Sequence, residues 1–163
     1  MKNFKPKAWM LPQPVLIIGT YDKEGKPNAM NAAWAGQWDY NEIFISLGSH
    51  ATTENLNNCP DFTVAFATTE TMVAADYVGI VSAKNVPQKL NETKWSIQKS
   101  ATGFYLIAEI INIVANDDYI SEDGKPNVEK MNLITFDPVH NKYIELGKAV
   151  GNAFSDGKKL EKL

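Results

Sequence analysis

The sequence predicts a mainly β domain, a barrel or a sandwich, with short helices covering one end. Three observations carry this. Short apolar, β-branched runs recur along the chain with turn-forming residues between them. Two Gly-containing turns, Asp22-Lys23-Glu24-Gly25 and Glu122-Asp123-Gly124, mark reversals. Helical spacing is confined to two or three short stretches. The chain has 163 residues, with no internal repeat and no shift in composition, so 1–163 reads as one domain.

Taken in order, residues 1–14 hold Pro6, Pro12 and Pro14 and form an irregular or extended lead-in. Val15 to Tyr21 is apolar at successive positions, as in a strand buried on both faces. After the Asp22–Gly25 turn, a second strand runs from Pro27 to about Ala35. Gly36 to Asn41 is expected to turn the chain, and Ile43 to Leu47 to form a third strand. A short helix is expected from Thr52 or Thr53 to about Asn58, stopped by Pro60. Asp61 to Thr68 reads as a strand, and Thr71 to about Val78 as a helix with Met72, Ala75 and Val78 near one face.

From Gly79 to Gly103 the pattern is polar and lysine-rich, a long loop with a short helical piece. Phe104 to Asn116 is a long apolar run and the strongest β signal of the second half. The chain then turns through Asp117–Asn127, is helix-like or irregular to Lys130, and forms strands at Leu133–Phe136 and Lys142–Leu146. The tail from Lys148 is polar, with Phe154 as its one large anchor.

Composition removes several classes of function. All sixteen basic residues are lysine, the net charge is −3, and no arginine occurs. Bidentate phosphate clamps and guanine reading are arginine work, so nucleic-acid binding is not expected. Any phosphate must be held by lysine, hydroxyls, histidine or backbone N–H groups. No apolar run is long enough for a signal core or a membrane span, and the single Cys59 forms no internal disulfide. A cytoplasmic protein without membrane partners is the expectation.

Familiar catalytic signatures are missing as well. There is no G-x-G-x-x-G, no phosphate loop and no G-x-S-x-G, and two histidines with one cysteine are too few for a zinc site. A cofactor that brings its own chemistry is easier to build into this chain than a side-chain-only active site.

Two neighbouring stretches offer a seat for such a cofactor. Asn28, Met30, Asn31, Ala32 and Ala33 make a strand of mostly small residues. That suits a flat ligand against backbone, a tightly packed strand crossing, or a dimer contact. Gly48, Ser49, His50, Thr52 and Thr53 make a polar helix start, with Thr52 or Thr53 expected at the N-cap. Such a start can hold an anion or can simply cap its helix. Trp34 and Trp38 read as core or interface residues, one of which could flank a ring. Lys84, Lys89, Lys94 and Lys99 read as solvated surface or as a phosphate contact.

These stretches resemble the flavin reductase-like, FMN-binding split-barrel family, particularly its flavoredoxin branch. The resemblance runs from about Pro14 to Lys158. It rests on GKPNAMNAAW (25–34), His50-x-Thr52-x-x-Asn55-Leu56, AADYVGIVSAKNVPQK (74–89) and YIELGKAVGNAF (143–154), in that order. It implies a six-stranded antiparallel split β-barrel of Greek-key topology with short covering helices, and a homodimer with FMN near the interface. It also implies that Asn28, Met30, Asn31, Ala32, Ala33 and Trp34 lie along the flavin. Ser46, Leu47, Gly48, His50, Thr52 and Thr53 would hold the phosphate, Ser82, Lys84 and Lys89 would assist, and Phe154 would approach the ring.

The sequence departs from the family at His50, where arginine or lysine is common. It departs again at Ala83, commonly glycine, and at Gln88, commonly acidic. A phosphate held by histidine binds more weakly as rising pH removes the imidazole proton. The implied activity is an FMN-dependent oxidoreductase, a flavin reductase or an electron carrier, with flavin N5 as the redox centre. A nicotinamide nucleotide or a redox protein would be the donor, and the residues point to no general acid or base. The alternative is a non-catalytic FMN-binding or structural barrel.

Overall fold

The computed structural model describes residues 1–82 and 105–158. Nine strands and two α-helices are present among them. The strands are β1 (Gln13–Pro14), β2 (Leu16–Tyr21), β3 (Pro27–Ala32), β4 (Ala35–Asp39), β5 (Glu42–Ser46), β6 (Phe62–Phe66), β7 (Tyr105–Glu109), β8 (Ile134–Asp137) and β9 (Lys142–Glu145). The helices are α1 (Ala51–Asn58) and α2 (Met72–Ile80).

All pairings are antiparallel, in three three-stranded sheets ordered β3-β2-β6, β4-β5-β7 and β1-β8-β9. The protein is therefore mainly β with two helices, as its sequence predicts. Strand pairing among the described residues leaves each sheet open, so hydrogen bonding does not close the expected six-stranded barrel.

β2 explains how these sheets are held together. Leu16 and Ile18 point into one core, with Ala32, Ile45, Leu47, Leu56, Phe62, Leu106 and Ala108. Val15 and Ile17 point into a second, with Ala29, Ala67, Ala75, Val78 and Ile134. One strand thus feeds two apolar layers by simple alternation, and burying both faces gives it its continuous apolar run. The β2–β3 hairpin turns at Gly25, whose φ of 79° needs glycine. Asp22 tightens the same turn by accepting from the Glu24 and Lys26 amides.

Four expectations need correction. Ala35–Asp39 is a strand, not a turn: it pairs with β5 around the two-residue turn Tyr40-Asn41. The long apolar run is strand over Tyr105–Glu109, and Ile111, Ile113 and Val114 stand exposed beyond it because no strand among the described residues pairs with them. Helix α1 starts at Ala51 with His50 at its N-cap, so neither Thr52 nor Thr53 caps it. Gly79 and Ile80 belong to α2 rather than to the following loop, most of which lies outside the described residues.

Candidate functional site

Among the described residues β3 is an edge strand. It pairs with β2 on one side, and every second residue turns its backbone N–H and C=O away from that partner. Along this free edge runs an open cleft of about 410 Å³. Its lining comes from three directions. β3 and its extension give Met30, Asn31, Ala32, Ala33 and Trp34, and the β5–α1 crossover gives Ser46, Gly48 and His50. The third wall is Asp76, Gly79 and Ile80 of α2 with Phe136 of β8 and Tyr143 of β9.

Small residues create this space. Gly79 lets α2 approach β3 so closely that a Cβ there would lie 2.8 Å from the Asn31 Cβ. Gly48 makes room for an imidazole: a Cβ at that position would meet His50 Nε2 at 3.1 Å. His50 occupies the N-cap without bonding the helix amides through its side chain, so its imidazole is not committed to capping. Trp34, Phe136 and Tyr143 form a continuous run of rings, each neighbouring pair with centroids 6.0 Å apart.

The third wall carries an ordered polar chain. Asn31 Nδ2 donates to the Tyr143 hydroxyl at 3.1 Å, and that hydroxyl donates to Asp76 Oδ1 at 2.7 Å. Burial, with the Asp76 carboxylate beside it, pushes the Tyr143 phenol up to about 12.

The cleft therefore gathers eight of the residues expected from sequence: Met30, Asn31, Ala32, Ala33, Trp34, Ser46, Gly48 and His50. Others sit behind it. Leu47 belongs to the first core. Asn28 is buried and donates to Thr52 Oγ1 at 2.8 Å, and the Thr53 hydroxyl donates to the Gly48 carbonyl at 2.6 Å. These three polar residues brace the floor under α1 and do not line the space. Ser82 lies just past α2 and also outside the lining, while Lys84 and Lys89 fall outside the described residues.

Phe154 is fully exposed, with a φ of 59°, and does not anchor the tail as expected. Asp76, Gly79, Ile80, Phe136 and Tyr143 were not singled out from sequence. Asp76, Gly79, Ile80 and Tyr143 lie within the 74–89 and 143–154 stretches that carry the resemblance, which is the signal the sequence offers for that wall.

The fold is shared with solved structures. Flavoredoxin of Desulfovibrio vulgaris (Miyazaki F) superposes with a TM-score of 0.87 at 25% identity, over 97% of this chain and 100% of its own. The chain has the flavoredoxin fold. Flavoredoxin from Methanosarcina acetivorans matches with a TM-score of 0.83 at 24% identity, over 98% of this chain and all of that one. The resemblance extends more distantly to nitrilotriacetate monooxygenase component B from Bacillus cereus, with a TM-score of 0.71 at 14% identity over 88% of this chain and 89% of that one. No protein-family model matches the sequence, nor does any curated protein. Among the described residues of this flavoredoxin-like chain, no helix is long and apolar enough to cross a membrane, and no group of three His, Cys, Asp or Glu could hold a metal ion.

Proposed function

We propose that the cleft along the β3 edge holds FMN and that the protein is an FMN-dependent oxidoreductase of the flavin reductase or flavoredoxin type. The observation that carries this reading is a cleft beside a small-residue strand edge, in a chain that matches a flavoredoxin over 97% of its length.

The residues present suit the group. Ala32 and Ala33 leave a flat wall, and free backbone groups of β3 can pair with the donors and acceptors of a pyrimidine edge. Trp34, Phe136 and Tyr143 supply aromatic faces. Ser46 and His50, beside the N-terminus of α1, supply phosphate donors in a chain without arginine. Leu47 and the buried Asn28, Thr52 and Thr53 hold the β5–α1 crossover in place from behind. Ser82, Lys84, Lys89 and Phe154 complete the set by family resemblance.

Bound FMN supplies a centre, N5, that takes hydride or electrons from a donor and passes them on. The protein binds and orients it, and backbone N–H groups near Met30–Ala33 stabilise negative charge at the pyrimidine edge. The donor is a nicotinamide nucleotide or a redox protein.

We further propose a homodimer with the cleft near its interface. The outward face of β4-β5-β7 carries Trp38, Phe44 and Ile107, and Ile111, Ile113 and Val114 follow it, all but Phe44 exposed. Such a patch is apolar enough for a partner.

His50→Ala is expected to weaken FMN binding about tenfold, the loss of one charge-assisted hydrogen bond. Fluorescence titration measures it, and unchanged affinity would place the phosphate elsewhere. Oxidation of NADH or NADPH with FMN present is the catalytic readout. An FMN-loaded protein that oxidises neither, with every acceptor offered, is not a nicotinamide-dependent reductase.

A further inference from the structure

The hydrogen bonds from β3 through Tyr143 to α2 have a fixed direction. A carboxylate only accepts, so the phenolic proton of Tyr143 points at Asp76, 2.7 Å away. The phenolic oxygen then has only lone pairs left to offer. Asn31, 3.1 Å away, must approach it with its amide NH2. The reversed amide would set oxygen against oxygen with no proton between them. Asn31 Oδ1 is thereby turned away from Tyr143.

Packing removes the freedom to escape this arrangement. Asn31 is held in register opposite Ile17, and the close approach of Gly79 confines its side chain. The Tyr143 ring rests beside Phe136, at 6.0 Å between centroids.

We infer that Tyr143 and Asp76 are positioning residues that fix the Asn31 amide, so that the cleft presents its carbonyl oxygen as an acceptor to an N–H or O–H of the bound ligand. This rests on the flavin reading of the cleft and adds a chemical preference to it. FMN carries both kinds of donor: the imide N–H of its ring and the hydroxyls of its ribityl chain. The raised Tyr143 phenol keeps its proton through the neutral range, so the direction of the chain does not change there. A site built around a fixed acceptor disfavours an analogue that lacks the matching donor, because the acceptor then loses its hydrogen bond to the ligand.

The test is fluorescence titration with FMN of the wild type, Asn31→Ala, Tyr143→Phe, Asp76→Asn and the Asn31→Ala/Tyr143→Phe double variant, with thermal melts to confirm folding. Each single variant is expected to weaken binding about 5- to 30-fold, the range for one buried hydrogen bond. Asp76→Asn keeps the shape but can donate, which releases the phenolic proton and lets the Asn31 amide turn. Tyr143→Phe should cost nothing further in the Asn31→Ala background. An equal loss there would mean that the Tyr143 hydroxyl bonds the ligand directly, and unchanged affinity in Asn31→Ala would mean that the amide touches none. Either result overturns the assignment.

Titration with 3-methyl-FMN distinguishes the two donors. If Asn31→Ala costs nothing with this analogue, the ring imide is the donor, and if the cost persists, a ribityl hydroxyl is. In the ligand-free protein, Asp76→Asn should move the highest tyrosine titration, followed by ultraviolet absorbance, to lower pH. No movement overturns the positioning chain even where FMN binds. A wild type that ignores FMN overturns the flavin reading and this one together, and the wild-type titration alone identifies that case.

Discussion

Gly79 sets the distance between α2 and β3, and with it the width of the cleft. A Cβ there would lie 2.8 Å from that of Asn31, so Gly79→Ala must push the helix and strand apart. Overpacking of this kind costs about 1–3 kcal/mol, offset in part by roughly 1 kcal/mol of helix propensity. A lowered urea midpoint is expected, and an unchanged one would mean that α2 moves freely.

Asp137 makes a separate, acid-side prediction. Its hydrogen bond to His140, at 2.7 Å, holds the carboxylate below its ordinary 3.8, against a desolvation effect that acts the other way. A depressed folded pKa gives stability that is present above about pH 4 and is lost as pH falls through the folded value. Asp137→Asn should flatten the fall in urea midpoint as pH drops below about 4. Tyr143 acts at the opposite extreme. Its raised phenol contributes stability below pH 10.0 that is lost as pH rises through about 12.

At the scale of elements, α1 shows where sequence reasoning succeeded and where it stopped. The helix was legible from its polar start and Pro60, yet the roles of its two threonines were not. Thr52 is buried and bonds Asn28, whose Oδ1 has no partner among the described residues, while Asn55 bonds Thr20 alongside. Thr52→Val would leave both polar ends of Asn28 unpaired and should cost about 1–3 kcal/mol in urea unfolding. FMN affinity should fall less than in His50→Ala, and the reverse order would return Thr52 to the phosphate site.

β2, β3 and the Gly25 turn were legible because alternation, small residues and one glycine are local signals. β4 was not. Its Ala-Gly-Gln-Trp-Asp sequence has weak strand propensity, and pairing with β5 decides its conformation. The end of β7 is not legible, because an exposed apolar segment reads in sequence like a buried one.

The site divides in the same way. The walls from β3 and the β5–α1 crossover lie close in sequence and could be read together. The wall of Asp76, Phe136 and Tyr143 could not, because Tyr143 reaches partners 67 and 112 residues away, Asp76 and Asn31, which no local pattern connects.

For the whole molecule, the fold puts a cleft on one strand edge and an apolar outer face on the sheet β4-β5-β7. The outer face of β4-β5-β7, with Trp38, Phe44 and Ile107, should be covered by a second copy of the chain. Light scattering on the eluted protein is expected to give the mass of a dimer, and Ile107→Glu that of a monomer. A monomeric wild type would leave this face without its proposed partner.

The flavin itself is the more central matter, and titration of the purified wild-type protein with FMN tests it most directly. Saturable quenching of flavin fluorescence at one FMN per chain, with a shifted visible spectrum, is the expected result. Unquenched fluorescence and an unshifted spectrum across the titration would contradict an FMN seat on the β3 edge.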